Sequence, residues 1–396
     1  MEIRQGYKQT EVGVIPEEWE VKKLGDICKF SKGKGISKSD ITEEGIECIR
    51  YGELYTTYKE NITQIFSRTN LDKENLVLSE KNDIIIPSSG ETAIDIAKAS
   101  CVSKDNVALG GDLNILKSNQ NGVFLSYFLN NIAKKQISSF AQGVSVVHLY
   151  AEQLKQVKVA IPPLKEQEKI AEILSYYDKA IEQQELLIEK EKKFKKGMMQ
   201  KIFSQEIRFK DDNGEDYPEW EENKIADIFK ITRGYVLAKT DIKEKITDNF
   251  IYPVFSSQTL NNGLMGFYNK YLYENSITWT TDGANAGTVK YRTGKFYCTN
   301  VCGVLISDIY SNKCIAEILA KEAPKHVSYI GNPKLMNNVM GAIKIIIPIS
   351  LEEQQKIANF LSDIDNKIEL LESKLELLKN EKKGMMQKLL TGEVRV

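Results

Sequence analysis

The chain has 396 residues and a mass of 45.0 kDa, so two or three domains are expected rather than one. An apolar share of 42% with 28% charged residues suits a globular protein with real cores, and no run approaches the roughly 18 apolar residues that cross a bilayer. The net charge of −1 argues against a chain that holds DNA tightly by itself, because phosphate neutralisation drives such affinity and favours a basic protein. Met1-Glu2-Ile3-Arg4-Gln5 opens no signal peptide, and the six cysteines follow no disulfide framework, which suits a reducing cytoplasm.

In chain order, a first globular part begins at Trp19, with Asp26-Ile27 and Lys38-Ser39-Asp40-Ile41 behind it. Asp83-Ile84-Ile85-Ile86-Pro87 reads as a buried strand that runs into the polar glycine loop Ser88-Ser89-Gly90-Glu91. After Val157-Lys158-Val159-Ala160-Ile161-Pro162 a long helix is expected from Glu166 to Ile202. Its apolar positions Ile170, Leu174, Tyr177, Ile181, Ile188, Met198 and Ile202 alternate spacings of three and four, interrupted by Gln184, Glu191 and Lys195. A second globular part then starts at Trp220, with Asp227-Ile228 and Lys239-Thr240-Asp241-Ile242. Its buried strand, Ser276-Ile277-Thr278-Trp279-Thr280, enters the loop from Thr281 to Gly287. A second helix carries the cleaner seam Ile357, Leu361, Ile364, Ile368, Leu371, Leu375, Leu378, Met385 and Leu389, with Lys382 out of pattern.

The chain is written twice. Ile170-Ala171-Glu172-Ile173-Leu174-Ser175 returns 187 positions later as Ile357-Ala358-Asn359-Phe360-Leu361-Ser362. In the same register, Lys196-Gly197-Met198-Met199-Gln200-Lys201 returns as Lys383-Gly384-Met385-Met386-Gln387-Lys388, and Glu206-Ile207-Arg208 as Glu393-Val394-Arg395. The globular parts share their starts and ends but not their interiors. A repeat of this length is one domain-plus-helix unit used twice.

Each helix spans about 55 Å at 1.5 Å per residue. The stretch from Ser204 to Tyr217 is too short to recross that length, so the helices are expected to pair antiparallel. The fold class expected is α+β: two mixed α/β domains separated by two long antiparallel coiled-coil helices, with pseudo-twofold symmetry. The corresponding partition is 1–160, 161–208, 209–348 and 349–396. The alternative is two amphipathic helices, each lying on its own domain. A pseudo-symmetric chain presents nearly one surface twice and suits two copies of one partner.

The sequence carries no P-loop, no G-x-G-x-x-G cofactor loop and no Asn-Pro-Pro-Tyr or Asp-Pro-Pro-Tyr tetrapeptide of a base-flipping methyltransferase. Glu222-Asn223-Lys224 has a nuclease-like Glu-x-Lys form but no evident Asp partner, and reads as a solvated charged turn. His148 and His326 read as structural or surface histidines, and Cys298 and Cys302 as strand-buried thiols rather than zinc ligands. A reader is expected rather than an enzyme.

These segments resemble the specificity subunits of type I restriction–modification systems. The resemblance rests on Gly13-Val14-Ile15-Pro16-Glu17-Glu18-Trp19, on Arg50-Tyr51-Gly52-Glu53-Leu54, and on Ile161-Pro162-Pro163-Leu164-Lys165-Glu166-Gln167-Glu168-Lys169-Ile170-Ala171. It continues in Tyr252-Pro253-Val254-Phe255-Ser256-Ser257-Gln258, in the run from Thr280 to Thr288, and in Leu390-Thr391-Gly392. It covers nearly the whole chain. The second copy departs at Pro348-Ile349-Ser350-Leu351, where the family has two prolines and a leucine.

The resemblance implies that each globular part is a target-recognition domain reading half of a split DNA site. It also implies two adenine methyltransferase subunits on the helices, with translocating nuclease subunits added for cleavage. S-adenosylmethionine, ATP and magnesium would then belong to those partners, none to this chain, and the location would be cytoplasmic. Antiparallel helices acting as a spacer would place the half-sites about one DNA turn apart. Base edges are read by polar side chains on loops, which makes Arg50, Tyr51, Ser88, Ser89 and Glu91 the candidates in the first part. In the second they are Ser256, Ser257, Gln258, Thr281, Asp282 and Asn285, with Lys290 and Arg292 for phosphates. Two rivals stand beside this reading: a coiled-coil scaffold that touches no nucleic acid, and a self-contained DNA methyltransferase or nuclease.

Overall fold

The structure, a computed structural model, describes residues 3–143, 145–257 and 260–396. Two compact units form, one from Met1–Glu185 with Ser373–Val396 and one from Leu186–Glu372. The first unit therefore needs both ends of the chain.

In chain order the first unit contains strands β1 (Glu20–Lys23), β2 (Cys28–Lys32) and β3 (Ile46–Ile49), helix α1 (Glu53–Thr56), and strands β4 (Asn61–Ile62), β5 (Asp83–Pro87), β6 (Ser89–Gly90), β7 (Ser100–Val102) and β8 (Leu113–Ser118). Helix α2 (Gly122–Asn131), β9 (Val147–His148), β10 (Lys158–Ile161) and the start of the long helix α3 (Leu164–Phe203) complete it. Its main sheet runs β2-β8-β5-β7-β4, antiparallel except for the parallel pair β7–β4. The central strand β5 is buried along its length, as its run of isoleucines dictates. Alternation sends Ile84 and Ile86 to a core with Trp19, Phe124 and Phe128, and Ile85 to the opposite face with Ile49, Leu54 and Val102.

The second unit follows with strands β11 (Glu221–Lys224), β12 (Lys230–Arg233), β13 (Tyr252–Phe255), β14 (Leu264–Tyr268), β15 (Tyr273–Thr280), β16 (Val289–Cys298) and β17 (Cys302–Ile306), helix α4 (Lys313–Glu322), strand β18 (Lys344–Ile347) and the long helix α5 (Leu351–Leu390). Its sheet order is β12-β17-β15-β16-β13-β14, with β16–β13 the parallel pair. The first five strands repeat the order and directions of the first sheet. In each unit a two-stranded antiparallel ribbon, β1–β10 or β11–β18, ties the start of the globular part to its end. The divergent interiors thus keep one topology.

One duplicated detail fixes a loop. A side chain at Gly33, after β2, would place its Cβ 1.9 Å from the Gly110 carbonyl oxygen. At Gly234, after β12, the same atom would lie 2.2 Å from the Cys298 carbonyl. Backbone approaches backbone so closely that only glycine fits.

The start of each long helix is held by a buried carboxylate. In the first unit the Trp19 indole donates to Glu166 at 3.1 Å, and Arg395 donates to both oxygens at 2.6 and 3.0 Å. In the second unit Trp220 donates to Glu353 at 3.1 Å, and Arg208 at 3.2 and 3.0 Å. Glu166 is 5% exposed and Glu353 is 0% exposed. The arginine in each case comes from just beyond the end of the other helix. There the chain turns through a left-handed residue, Gln205 at φ 62 or Gly392 at φ 71.

The expected seam is present. Ile170, Leu174, Ile181, Ile188 and Ile202 on α3, and Ile357, Leu361, Ile364, Ile368 and Leu389 on α5, are buried. Within the first unit Asp178 meets Lys382 at 2.6 Å and Glu185 meets Lys379 at 3.2 Å. Within the second, Lys192 meets Glu372 at 2.5 Å and Lys195 meets Asp365 at 2.8 Å. Partners rise along one helix as they fall along the other, so the helices are antiparallel. Lys195 and Lys382, each an interruption of the apolar pattern, are repeat equivalents, and so are Asp365 and Asp178. Tyr127 also donates to Asp178, and Lys313 to Asp365. Among the described residues no helix is long and apolar enough to cross a membrane.

Two outcomes follow from these contacts. Removing the partner of a buried carboxylate leaves an uncompensated charge, so Arg208→Ala should cost about 3 kcal/mol in denaturant unfolding. Arg208→Lys, which keeps the charge but not the fork, should cost less. For Asp365, burial raises the carboxyl pKa, but the ammonium groups of Lys195 and Lys313 outweigh it and hold it below the usual range. A carboxyl depressed on folding stabilises above its unfolded pKa, about 3.9, and loses that contribution as pH falls through the folded value. Asp365→Asn should therefore be less stable than the parent at pH 7, and the gap should close as pH falls below the usual carboxylate range.

Candidate nucleic-acid interface

In the first unit the loops at one end of the sheet converge. The Tyr55 hydroxyl, from α1, donates to the Ser89 carbonyl on β6 at 2.8 Å. Burial pushes the Tyr55 phenol upward, with Tyr51 and Asp95 adding to the effect, so it stays a neutral donor. Ser89 Oγ lies 3.3 Å from His148 Nδ1 on β9, whose pairing with β6 sets that approach. The His148 ring stacks on Tyr150 at 6.0 Å, and the Lys32 ammonium sits 5.7 Å from the Tyr150 centroid. On the other side Tyr51 meets Tyr55 edge-on at 6.5 Å. Tyr51 and Tyr150 are exposed, 38% and 45%.

Arg50 joins this edge through α1. Its backbone N–H donates to Glu53 at 2.7 Å, and its Nε lies 3.7 Å from the same carboxylate. That Nε is buried and has no hydrogen-bond partner. Arg50, Tyr51 and Ser89 are thus brought together, and Glu91 is exposed one residue beyond β6. Ser88 is different. It is 4% exposed, donates its N–H to the Asp112 carbonyl at 2.7 Å, and faces inward. Lys32, Tyr55, His148 and Tyr150 are not legible as one group in the sequence, because they come from three separated segments.

In the second unit the loop after β15 is braced from behind. Thr281 is fully buried, its N–H donating to Val301 at 3.0 Å and its hydroxyl to Asp282 at 2.6 Å. The Asn285 amide donates to the Ser257 carbonyl at 3.2 Å, so these two candidates hold one another. Ser256 accepts from Thr299 at 3.0 Å. Gln258 lies outside the described residues. Lys290 is exposed, whereas Arg292 is buried, and both line a cavity with Ser256.

A hairpin not anticipated from the sequence stands beside this loop. Ser328 and Lys334 exchange both backbone hydrogen bonds at 2.9 Å, and Gly331 turns the tip at φ 77. Gly283 donates to the Pro333 carbonyl and Leu335 to Thr281, at 2.9 and 2.8 Å. At the tip Tyr329 is 71% and Ile330 93% exposed. The run Tyr329-Ile330-Gly331-Asn332-Pro333 carries turn chemistry that was the available signal.

The remaining sequence candidates settle elsewhere. Glu222, on β11, pairs with Lys344 at 2.7 Å. His326 pairs with Glu322 at 3.2 Å on an exposed turn. All six cysteines are free and buried, and burial pushes the Cys302 thiol up to about 11. Among the described residues no cluster of His, Cys, Asp and Glu offers a metal site.

Two sheet domains of one topology, each ending in one of two paired helices and each presenting its own loop set, define a modular recognition protein. Comparison with known proteins gives the family. A family model described as type I restriction modification DNA specificity domain matches residues 16–190 and again 217–380. The chain belongs to that family, the specificity subunits, which are the non-catalytic component of type I restriction–modification enzymes. It is 28% identical to the type I restriction enzyme MjaVIII specificity subunit of Methanocaldococcus jannaschii, over 99% of this chain and 96% of that protein. The fold matches the crystal structure of the type I system S subunit from M. genitalium, with a TM-score of 0.69, 18% identity and 98% of both chains covered. A second solved chain, from work on the assembly and conformational transition of the type I system, matches at 0.54 with 14% identity, over 96% of this chain and 99% of that one.

Proposed function

We propose that this chain reads a two-part DNA sequence, one part with each unit, and carries two methyltransferase subunits on its paired helices. Restriction and translocation subunits join that assembly for cleavage, in the cytoplasm. The observation that carries this reading is a scaffold kept twice with its loops changed. Sheet order, buried Trp-Glu-Arg triad and seam ion pair recur in both units, as two copies of one partner require. The loop sets differ, as two different half-sites require. The domain partition at 1–160, 161–208, 209–348 and 349–396 is the functional one in this reading.

In the first unit Lys32, Arg50, Tyr51 and Tyr150 approach DNA, with Ser89 and Glu91 beside them. In the second, Asp282, Asn285, Lys290 and the 328–334 hairpin do so, and the exposed Tyr329 and Ile330 suit apolar contact in a groove. With a net charge of −1, much of the phosphate contact comes from the methyltransferases, which also hold S-adenosylmethionine. ATP and magnesium belong with the restriction subunits.

Two measurements test this. The highly purified chain should transfer no methyl group to DNA by itself and should support transfer once its methyltransferase partner is added. Activity of the chain alone would overturn the reading. Exchanging residues 20–155 for the corresponding part of another family member should change one half of the methylated adenine motif, read by methylome sequencing. A change in both halves, or in neither, would show that the units do not read independently.

A further inference from the structure

The second unit buries a guanidinium without a carboxylate. Arg292, on β16, is 7% exposed, and no acidic side chain pairs with it among the described residues. Its Nε–H donates to Thr278 Oγ1 at 3.2 Å and its Nη1 to the Asn262 carbonyl at 2.8 Å. Its Cζ lies 3.8 Å from the centroid of the Phe255 ring. Those bonds leave most of the guanidinium's five N–H donors without a protein acceptor among the described residues. Burial pulls its pKa down to about 10, so it remains a cation at neutral pH. A buried cation without a counter-charge is costly unless something supplies the charge.

The side chain lines a cavity of about 130 Å³. Ser256, Thr278, Thr280, Thr288 and Lys290 line it as well, and no Asp or Glu does. Lys290, which is exposed, adds a second cationic side chain to the lining. Two cations and a ring of hydroxyl donors match a tetrahedral oxyanion. A guanidinium this buried does not reach into a DNA groove to read a base edge, so its ligand must enter the cavity. In the first sheet the strand in the same place, β7, carries Ser100, Cys101 and Val102 and no basic residue.

We infer that the Arg292–Lys290 cavity is a binding site for a phosphoryl group, and that a backbone phosphate of bound DNA is the group it takes. The second half rests on the DNA reading proposed above, and the first half does not. A purely structural arginine, stacked on Phe255 and capping Asn262, would show no dependence on anions.

Calorimetric titration of the full chain with sodium phosphate, at ionic strength held constant with chloride, decides the site. Saturable binding is expected, lost in Arg292→Gln, several-fold weaker in Lys290→Gln and largely kept in Arg292→Lys. Because Arg292 is buried, the exposed Lys290 variant carries the test if Arg292→Gln fails to fold. Absence of saturable binding, or binding that both glutamine variants retain, overturns the site. The source of the phosphate is read from DNA affinity of the chain assembled with its methyltransferase subunits. Lys290→Gln should lower the slope of log K against log salt by about one. Phosphate binding with an unchanged slope overturns the DNA phosphate and leaves a free-anion site. An assembly that binds no DNA overturns the function proposed above, while the phosphate titration still decides the cavity.

Discussion

The buried carboxylate at the head of each long helix is the constraint on which the architecture depends. Glu166 and Glu353 are removed from water, and each is matched by one indole N–H and a two-pronged arginine. A buried carboxylate tolerates no substitute geometry, because any other seating of the helix end leaves a charge unpaired. Three segments far apart in sequence, the start of a globular part, the head of one helix and the tail of the other, are therefore fixed at one point. Arg395 reaches Glu166 across 229 positions of sequence. The first unit is consequently built from segments that precede and follow the second in sequence.

The same logic sets helix register. An apolar stripe of Ile and Leu supplies attraction, yet a heptad seam can slide by a repeat without losing its character. The ion pairs Lys382–Asp178 and Lys195–Asp365, placed inside the stripe, remove that freedom. A seven-residue slip would part each lysine from its aspartate and from the third group that completes the set, Tyr127 or Lys313. Two polar interruptions of the pattern, Lys195 and Lys382, thus specify its register.

The two units differ in their loops. Both main sheets share an order of five strands, and in each a polar glycine loop leaves the same central strand, at Ser88 after β5 and at Thr281 after β15. In the first unit the surrounding segments add tyrosines, a lysine and an arginine. In the second a braced Asp-Asn loop stands with a hairpin tip and a cationic cavity. Of the candidates drawn from the sequence, Arg50, Tyr51 and Ser89 fall on one edge, while Ser88 and Thr281 are turned inward by backbone partners. Residue type could not separate these cases. Ser88 and Ser89 are adjacent and identical, and the alternation of an extended backbone sends one in and the other out.

The sequence by itself determined the duplication, the two helices, their antiparallel pairing and the family. These are periodicities, repeated strings and a short connection, and each can be read within a stretch of chain or by sliding one copy along another. Only the tertiary structure decided which lysine meets which aspartate, and that Arg208 and Arg395 close on glutamates of the other helix. It alone decided that Arg292 lies buried beside Thr278 rather than exposed on its strand, and that Tyr329 and Ile330 stand out at a hairpin tip. Such outcomes depend on burial and on partners brought together from distant segments. A cation's surroundings are set by everything packed around it, and no local pattern of residue types encodes that.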